Sequence, residues 1–385
     1  MISSIIKKIK TCLPSRPTRK YLHEPVLNNK TLHHIEKCLN STYVSTEGFY
    51  IDKLSDEIKK VTNSRYILLT NTGTSALHMA LYVMNLDNTE VLVPSMTFVA
   101  TVNTIRYVNA IPHFIDSGSE NINIDYRKLD KYLEENTYMK SNSCINKKTN
   151  NKIKCLIVVH AYGYPANIIN LKKISKKYNI EIIEDAAGAL GSYHKEKHVG
   201  TFTRFGIISF NGNKIVTTGM GGALLINNKN DYIKIKHYIS TSRLKHEWII
   251  SHNDIGYNYR MANINAALGY SQILKISQTI KMKKRLHIKY CKAFKNNKYA
   301  TIYHVNKTDS PNYWLNNLIL DDEYINKQAS LIKSLHTKNI FARYLWTPQH
   351  LLSMHKKYPS MRNNNAINHW KKTISLPSSY INEIN

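Results

Sequence analysis

Ile208-Ser209-Phe210-Asn211-Gly212-Asn213-Lys214-Ile215-Val216-Thr217-Thr218-Gly219-Met220-Gly221-Gly222 joins two apolar runs, 206–210 and 222–226, through a turn rich in Asn, Gly and Thr. Short runs without polar alternation read as strands buried on both faces, as in a parallel sheet covered by helices. Five more such runs come earlier, at 66–69, 91–93, 113–115, 154–159 and 181–183, separated by stretches of helical spacing. The alternation predicts an α/β domain on a large, mainly parallel sheet. A lone lysine usually points to water, but Lys214 sits between a buried strand and two glycine-containing turns. That setting suits a lysine that forms a Schiff base.

Around this stretch the chain extends to 385 residues, 42% hydrophobic and 21% charged, which predicts two or three packed domains and excludes global disorder. Lys plus Arg number 54 against 26 Asp plus Glu, a net charge of +28. The positive charges are spread along the whole chain rather than gathered in a block, so a compositional bias explains them and no nucleic-acid partner is expected. A substrate carrying phosphates would suit the same field. Five cysteines, widely spaced and without a C-x-x-C pair, predict a reducing, cytoplasmic setting and no metal site. No run is long and apolar enough for a transmembrane segment.

Helical spacing predicts short helices at 31–40 and 52–61. Residues 1–22 read as an N-terminal extension whose start, with Lys7 and Lys8 among Ile5, Ile6 and Ile9, is a frayed, solvated terminus rather than a surface anchor. The polar stretch between Glu134 and Lys154 reads as an exposed loop. A long helical pattern through Ile276, Ile280 and Leu286 predicts a boundary near Gly269, dividing a large domain, 23–268, from a smaller C-terminal α/β domain, 269–385, with strands at 313–320 and 340–344.

Ligands in such folds bind at the carboxyl ends of the strands. Two further strand ends carry suitable residues. After 66–69 the chain runs through Thr72, Gly73, Thr74 and Ser75 into a helix, which suits a phosphate at a helix N-terminus, although a simple N-cap uses the same residues. After 181–183, Asp185 stands before small residues, where a carboxylate acts as base, binds a metal, faces a cationic ring nitrogen or caps a helix.

Six segments appear in a telling order: Val44-Ser45-Thr46-Glu47-Gly48, Pro94-Ser95-Met96-Thr97-Phe98-Val99-Ala100-Thr101, His160-Ala161-Tyr162-Gly163, Glu184-Asp185-Ala186-Ala187, Ser209 to Lys214, and Gly256-Tyr257-Asn258-Tyr259-Arg260-Met261. Together they resemble the sugar-nucleotide aminotransferases of the DegT/DnrJ/EryC1/StrS family. The resemblance implies a fold-type I, aspartate-aminotransferase-like scaffold with pyridoxal phosphate as cofactor. It implies that Lys214 forms the Schiff base and shuttles the proton, and that Asp185 pairs with the pyridinium nitrogen. Gly73, Thr74, Ser75 and Ser209 would hold the phosphate, and Phe98 would lie on the ring face. Arg260 would reach a neighbouring subunit's site, making the protein a homodimer with shared active sites. His160, Arg343 and His350 are weaker substrate candidates, with an aromatic cluster as an equal account of Trp346.

Within the family, Thr241-Ser242-Arg243-Leu244-Lys245-His246-Glu247-Trp248 and the stretch after it resemble the legionaminic acid and bacillosamine branch. That likeness implies transfer of the amino group of L-glutamate to the C4 ketone of a UDP-linked 4-keto-6-deoxy-N-acetylhexosamine, for surface glycans. A GDP-perosamine-type, dTDP-linked 4-keto or 3-keto sugar is the alternative, and a non-catalytic regulator or basic nucleic-acid-binding protein is a remote one. Two departures stand out. Gly188 replaces the Gln, His or Glu of many members, and the chain ends at Ile384-Asn385 soon after Ser375, which predicts a small domain short of a packing element and dependent on the dimer.

Overall fold

A computed structural model describes residues 1–15 and 18–379; the expectation about the chain's end at Ile384-Asn385 lies outside them. Helices α1 (Ile2–Cys12), α2 (Asn29–Asn40) and α3 (Phe49–Thr62) come first, then β1 (Tyr66–Thr70), α4 (Gly73–Tyr82), β2 (Glu90–Pro94), α5 (Val99–Tyr107), β3 (Ile111–Ile115) and α6 (Tyr126–Asn136). Next follow β4 (Thr137–Lys140), β5 (Ser143–Asn146), β6 (Lys152–Val159), α7 (Ile168–Tyr178), β7 (Glu181–Asp185), β8 (Tyr193–His194) and β9 (Lys197–His198). After them come β10 (Phe205–Ser209), β11 (Gly222–Ile226), α8 (Lys229–Tyr238), α9 (Asn263–Ile273) and α10 (Ile276–Phe294). The last part holds β12 (Ala300–Ile302), β13 (Asp309–Ser310), β14 (Asn316–Leu320), α11 (Gln328–His336), β15 (Arg343–Tyr344), α12 (Asn364–Lys372) and β16 (Thr373–Leu376).

All seven apolar runs become strands of one sheet, in the order β1-β11-β10-β7-β6-β2-β3. Only β11 runs against its neighbours in that path, and the others pair in parallel. β2 and β11 are buried at every position, which explains why they read as unbroken apolar runs. Because the parallel strands end on the same edge, Thr70, Val159, Asp185 and Ser209 are brought to one side of the molecule. Gly222 lies opposite both Thr70 and Ser209, and a Cβ there would stand 2.5 Å from the backbone nitrogen of Gly73. This close approach brings the start of α4 beside the end of β10.

Two expectations need correction. The stretch between Glu134 and Lys154 is not a loop throughout: β4 and β5 form a hairpin whose inner strand pairs with β6. Its outer strand shows three exposed residues in four, so its composition hides a half-buried hairpin. Buried Glu90 ties it down, accepting from Asn146 Nδ2 at 2.9 Å and from the Thr149 hydroxyl, with His113 at 2.7 Å. The N-terminus, for its part, is not frayed. α1 buries Ile5, Ile6 and Ile9 against Leu286 and Tyr290 of α10 and Leu331 and Leu335 of α11. Its apolar face is therefore spent inside the molecule rather than on a surface. These helices cover the antiparallel sheet β12-β14-β16-β15.

Candidate active site

A cleft of about 1160 Å³, including its open mouth, lies at the carboxyl edge of the large sheet, and Gly73, Thr74, Phe98, Asp185, Ser209 and Lys214 all line it. Each arrives there for a local reason. α4 begins directly after β1 because Thr72 caps it: the Ser75 N–H donates to Thr72 Oγ1 at 3.0 Å and the Ala76 N–H to Thr72 O at 3.2 Å. Gly73, Thr74 and Ser209 all line the cleft where α4 begins, at the positive end of the helix, whose first N–H groups have no partner within the helix. That is a cradle for a phosphate.

Asp185 ends β7 and is nearly buried, at 6% exposure. Its Oδ2 accepts from the Thr101 hydroxyl at 2.8 Å and its Oδ1 from the Ala187 N–H at 3.1 Å. Two donors orient a carboxylate whose open side faces the cleft, ready for a cationic partner. Lys214, half-buried, places Nζ 3.7 Å from the ring centroid of Trp314. Loss of water around its ammonium lowers its pKa from 10.5 to about 8, against the opposing pull of Asp185. An amine so tuned is a nucleophile near neutral pH.

Other expected residues fall differently. The Ser75 hydroxyl donates to Asn71 Oδ1 at 2.7 Å, lies 2.8 Å from Thr72 Oγ1 and does not line the cleft, so its part is in the cap. His160 reaches the wall, but its Nε2 is 3.2 Å from Glu184 and its Nδ1 accepts from the Ala166 N–H at 3.0 Å, which leaves no ring nitrogen for a substrate. Arg343 lies on the exposed strand β15, and His350 Nδ1 sits 2.5 Å from the Ser95 hydroxyl; neither lines the cleft. Arg260 stands outside it as well, with Nη1 3.7 Å from Glu47.

Thr101, Tyr162 and Trp314 were not singled out for the site by sequence reasoning, and Trp346 only as part of a cluster. Thr101 closes the segment 94–101 that carries part of the family resemblance, so a signal for it was present in the sequence. Tyr162 adopts φ 56°, an unusual value for a bulky residue, and stacks on Trp346 with centroids 4.0 Å apart. The Trp346 N–H donates to the Tyr162 hydroxyl at 2.7 Å, which locks both rings at the cleft wall.

A phosphate cradle, an oriented carboxylate and a tuned amine in one cleft are the donor set that a phosphorylated pyridine aldehyde requires, and a Cβ on Gly73 would press within 3.0 Å of Ser209 Cβ inside that cradle. The residues fit pyridoxal phosphate. Fold and site together define a pyridoxal-phosphate-dependent aminotransferase of fold type I. Residues 25–381 match the DegT/DnrJ/EryC1/StrS aminotransferase family, and the chain belongs to it. It is 33% identical over 343 residues to GDP-perosamine synthase of Escherichia coli O157:H7, with 88% of each chain covered. It is 30% identical to a UDP-4-amino-4,6-dideoxy-N-acetyl-beta-L-altrosamine transaminase of Campylobacter jejuni, over 87% of this chain and 86% of that one. Its fold resembles that of Helicobacter pylori PseC, an aminotransferase involved in the biosynthesis of pseudoaminic acid, with a TM-score of 0.85 over 93% of both chains at 24% identity. The protein is a sugar-nucleotide aminotransferase. Among the described residues no helix is long and apolar enough to cross a membrane.

Proposed function

We propose that the protein moves the amino group of L-glutamate to the C4 ketone of a UDP-linked 4-keto-6-deoxy-N-acetylhexosamine. The observation that carries the reading is the meeting of Lys214, Asp185 and the α4 N-terminus in one cleft. The 4-amino-4,6-dideoxy-N-acetyl sugar in the name of the Campylobacter relative supports the substrate class. Bound there, pyridoxal phosphate supplies an electron-withdrawing ring that stabilises charge on the carbon bearing the transferred amine. Gly73, Thr74 and Ser209 would hold the phosphate, and Asp185, steadied by Thr101, would keep a proton on the ring nitrogen. Lys214 takes the proton from the amino-acid carbon and returns it on the other side of the transfer. Phe98, 55% exposed at the cleft mouth, and buried Trp314 and Tyr162 shield the ring from water.

A second copy of the chain completes the site in this reading. Support comes from Arg260, whose Nε is buried without a hydrogen-bond partner among the described residues, and from exposed Trp248, Ile249, Ile250 and Ile255 in the segment between α8 and α9 that also carries Arg260. Five free cysteines, four of them buried, suit a cytoplasmic enzyme.

The GDP-linked alternative is favoured by the Escherichia coli relative. Purified enzyme given L-glutamate and either a UDP-linked 4-keto-6-deoxy-N-acetylhexosamine or a GDP-linked 4-keto-6-deoxyhexose decides between them. Amino-sugar product from the UDP sugar supports the proposal; turnover of the GDP sugar alone overturns it.

A further inference from the structure

Gly188 sits three residues beyond Asp185, and its φ lies outside the left-handed region, so backbone conformation does not call for glycine. Space does. A Cβ there would stand 2.6 Å from Trp314 Cε3 and 2.7 Å from Cζ3. The indole that occupies this space is held by one hydrogen bond of its own, and its main chain by Asn312. Its Nε1–H donates to the Asn213 carbonyl at 2.7 Å, and the Trp314 backbone N–H donates to Asn312 Oδ1 at 2.9 Å. Asn312 in turn donates from Nδ2 to the Gly188 carbonyl at 3.0 Å and to that of Leu190 at 2.9 Å. Asn213 directly precedes Lys214, whose Nζ lies 3.7 Å from the Trp314 ring centroid. One side chain thus grips both the backbone and the head of the lysine.

We propose that Trp314, admitted by the missing side chain of Gly188, is the positioning residue of Lys214, fixing its main chain through Asn213 and its amine through the indole face. The inference rests on the reading of Lys214 as the cofactor lysine. A cation over an indole is favoured in its charged form, and more so away from water. The other charged or titratable groups felt by this amine are Asp185 and, from the segment before α2, His23. Trp314 enters from the segment that opens β14, so the placement of the smaller sheet is transmitted to the lysine.

The test uses the full-length protein freed of cofactor. Acetylation of the Lys214 peptide by a short anhydride pulse, read by mass spectrometry across pH, gives the midpoint at which the amine becomes reactive. Trp314→Phe keeps a ring but weakens the cation contact, removes the Nε1–H bond and changes the access of water to the amine, so the midpoint moves by about half a pH unit or more. An unmoved midpoint overturns the proposal. Gly188→Leu alone lowers Tm by crowding the indole, and Trp314→Ala added to it restores Tm, because the new side chain fills the vacated space. Simple addition of the two losses overturns the space argument. Since none of these readouts uses bound cofactor, they stand apart from a separate assay of whether wild type takes up pyridoxal phosphate, which tests the reading beneath them.

Discussion

Thr101 in α5 donates its hydroxyl to Asp185 Oδ2 at 2.8 Å although 84 residues separate them in the chain. The bond aims a carboxylate that must face a cationic ring nitrogen. Replacing the carboxylate removes the charge itself, so Asp185→Asn lowers the rate of the glutamate half-reaction about 10²–10³-fold. Thr101→Val removes only one orienting hydrogen bond, and a loss of about tenfold follows. Single-turnover kinetics with L-glutamate check both, and equal losses would contradict the assigned division of labour.

Gly73→Ala separates cofactor binding from folding. Gly73 opens α4 rather than sitting inside it, and the new Cβ also meets the Ile208 carbonyl at 3.4 Å, so Tm changes little or falls slightly. The added Cβ enters the cradle 3.0 Å from Ser209 Cβ, and affinity for pyridoxal phosphate falls about tenfold. Equilibrium titration of the cofactor-free protein measures the change.

α1 contributes to the core of the C-terminal part rather than trailing from it. Ile5 and Ile9 are both fully buried, so Ile5→Ala or Ile9→Ala costs about 2–5 kcal/mol in denaturant unfolding. An N-terminus detached in solution would show almost no change.

Lys283 offers a pH prediction. Burial lowers its pKa from 10.5 to about 7, and its Nζ donates to the Ser378 carbonyl at 2.5 Å. Between about pH 7 and about pH 10 the unfolded chain holds a proton there that the folded chain does not, so the free energy of unfolding rises with pH across that window. Lys283→Met removes this contribution, and the stability of the variant climbs less steeply over the same range. Parallel curves would show that the buried group keeps its ordinary pKa.

Seven of the nine strands of the large sheet were legible because burial on both faces leaves unbroken apolar runs, and their carboxyl ends do meet at one cleft. β4 and α1 were not. Each presents a mixed surface whose apolar side is recognised only once its distant partner, β6 for the hairpin and α10 for the helix, is in place. Trp314 escaped for the same reason: its contact with Lys214 spans 100 residues of chain, and its indole fills the space that a side chain at Gly188 would take. Ser75 shows why a strand-to-helix turn is ambiguous in sequence: the residue types that cradle a phosphate also cap a helix, and its hydroxyl bonds to Asn71 and lies beside that of Thr72.

The identity of the cofactor lysine is tested most directly by reducing the protein with borohydride in the presence of pyridoxal phosphate, digesting it and locating the modified peptide. The account predicts the phosphopyridoxyl group on Lys214 and no such adduct in Lys214→Ala. Lys283 is fully buried, with a pKa lowered further than that of half-buried Lys214, but it does not line the cleft. A phosphopyridoxyl group on Lys283, or one that persists elsewhere in Lys214→Ala, would contradict the assignment.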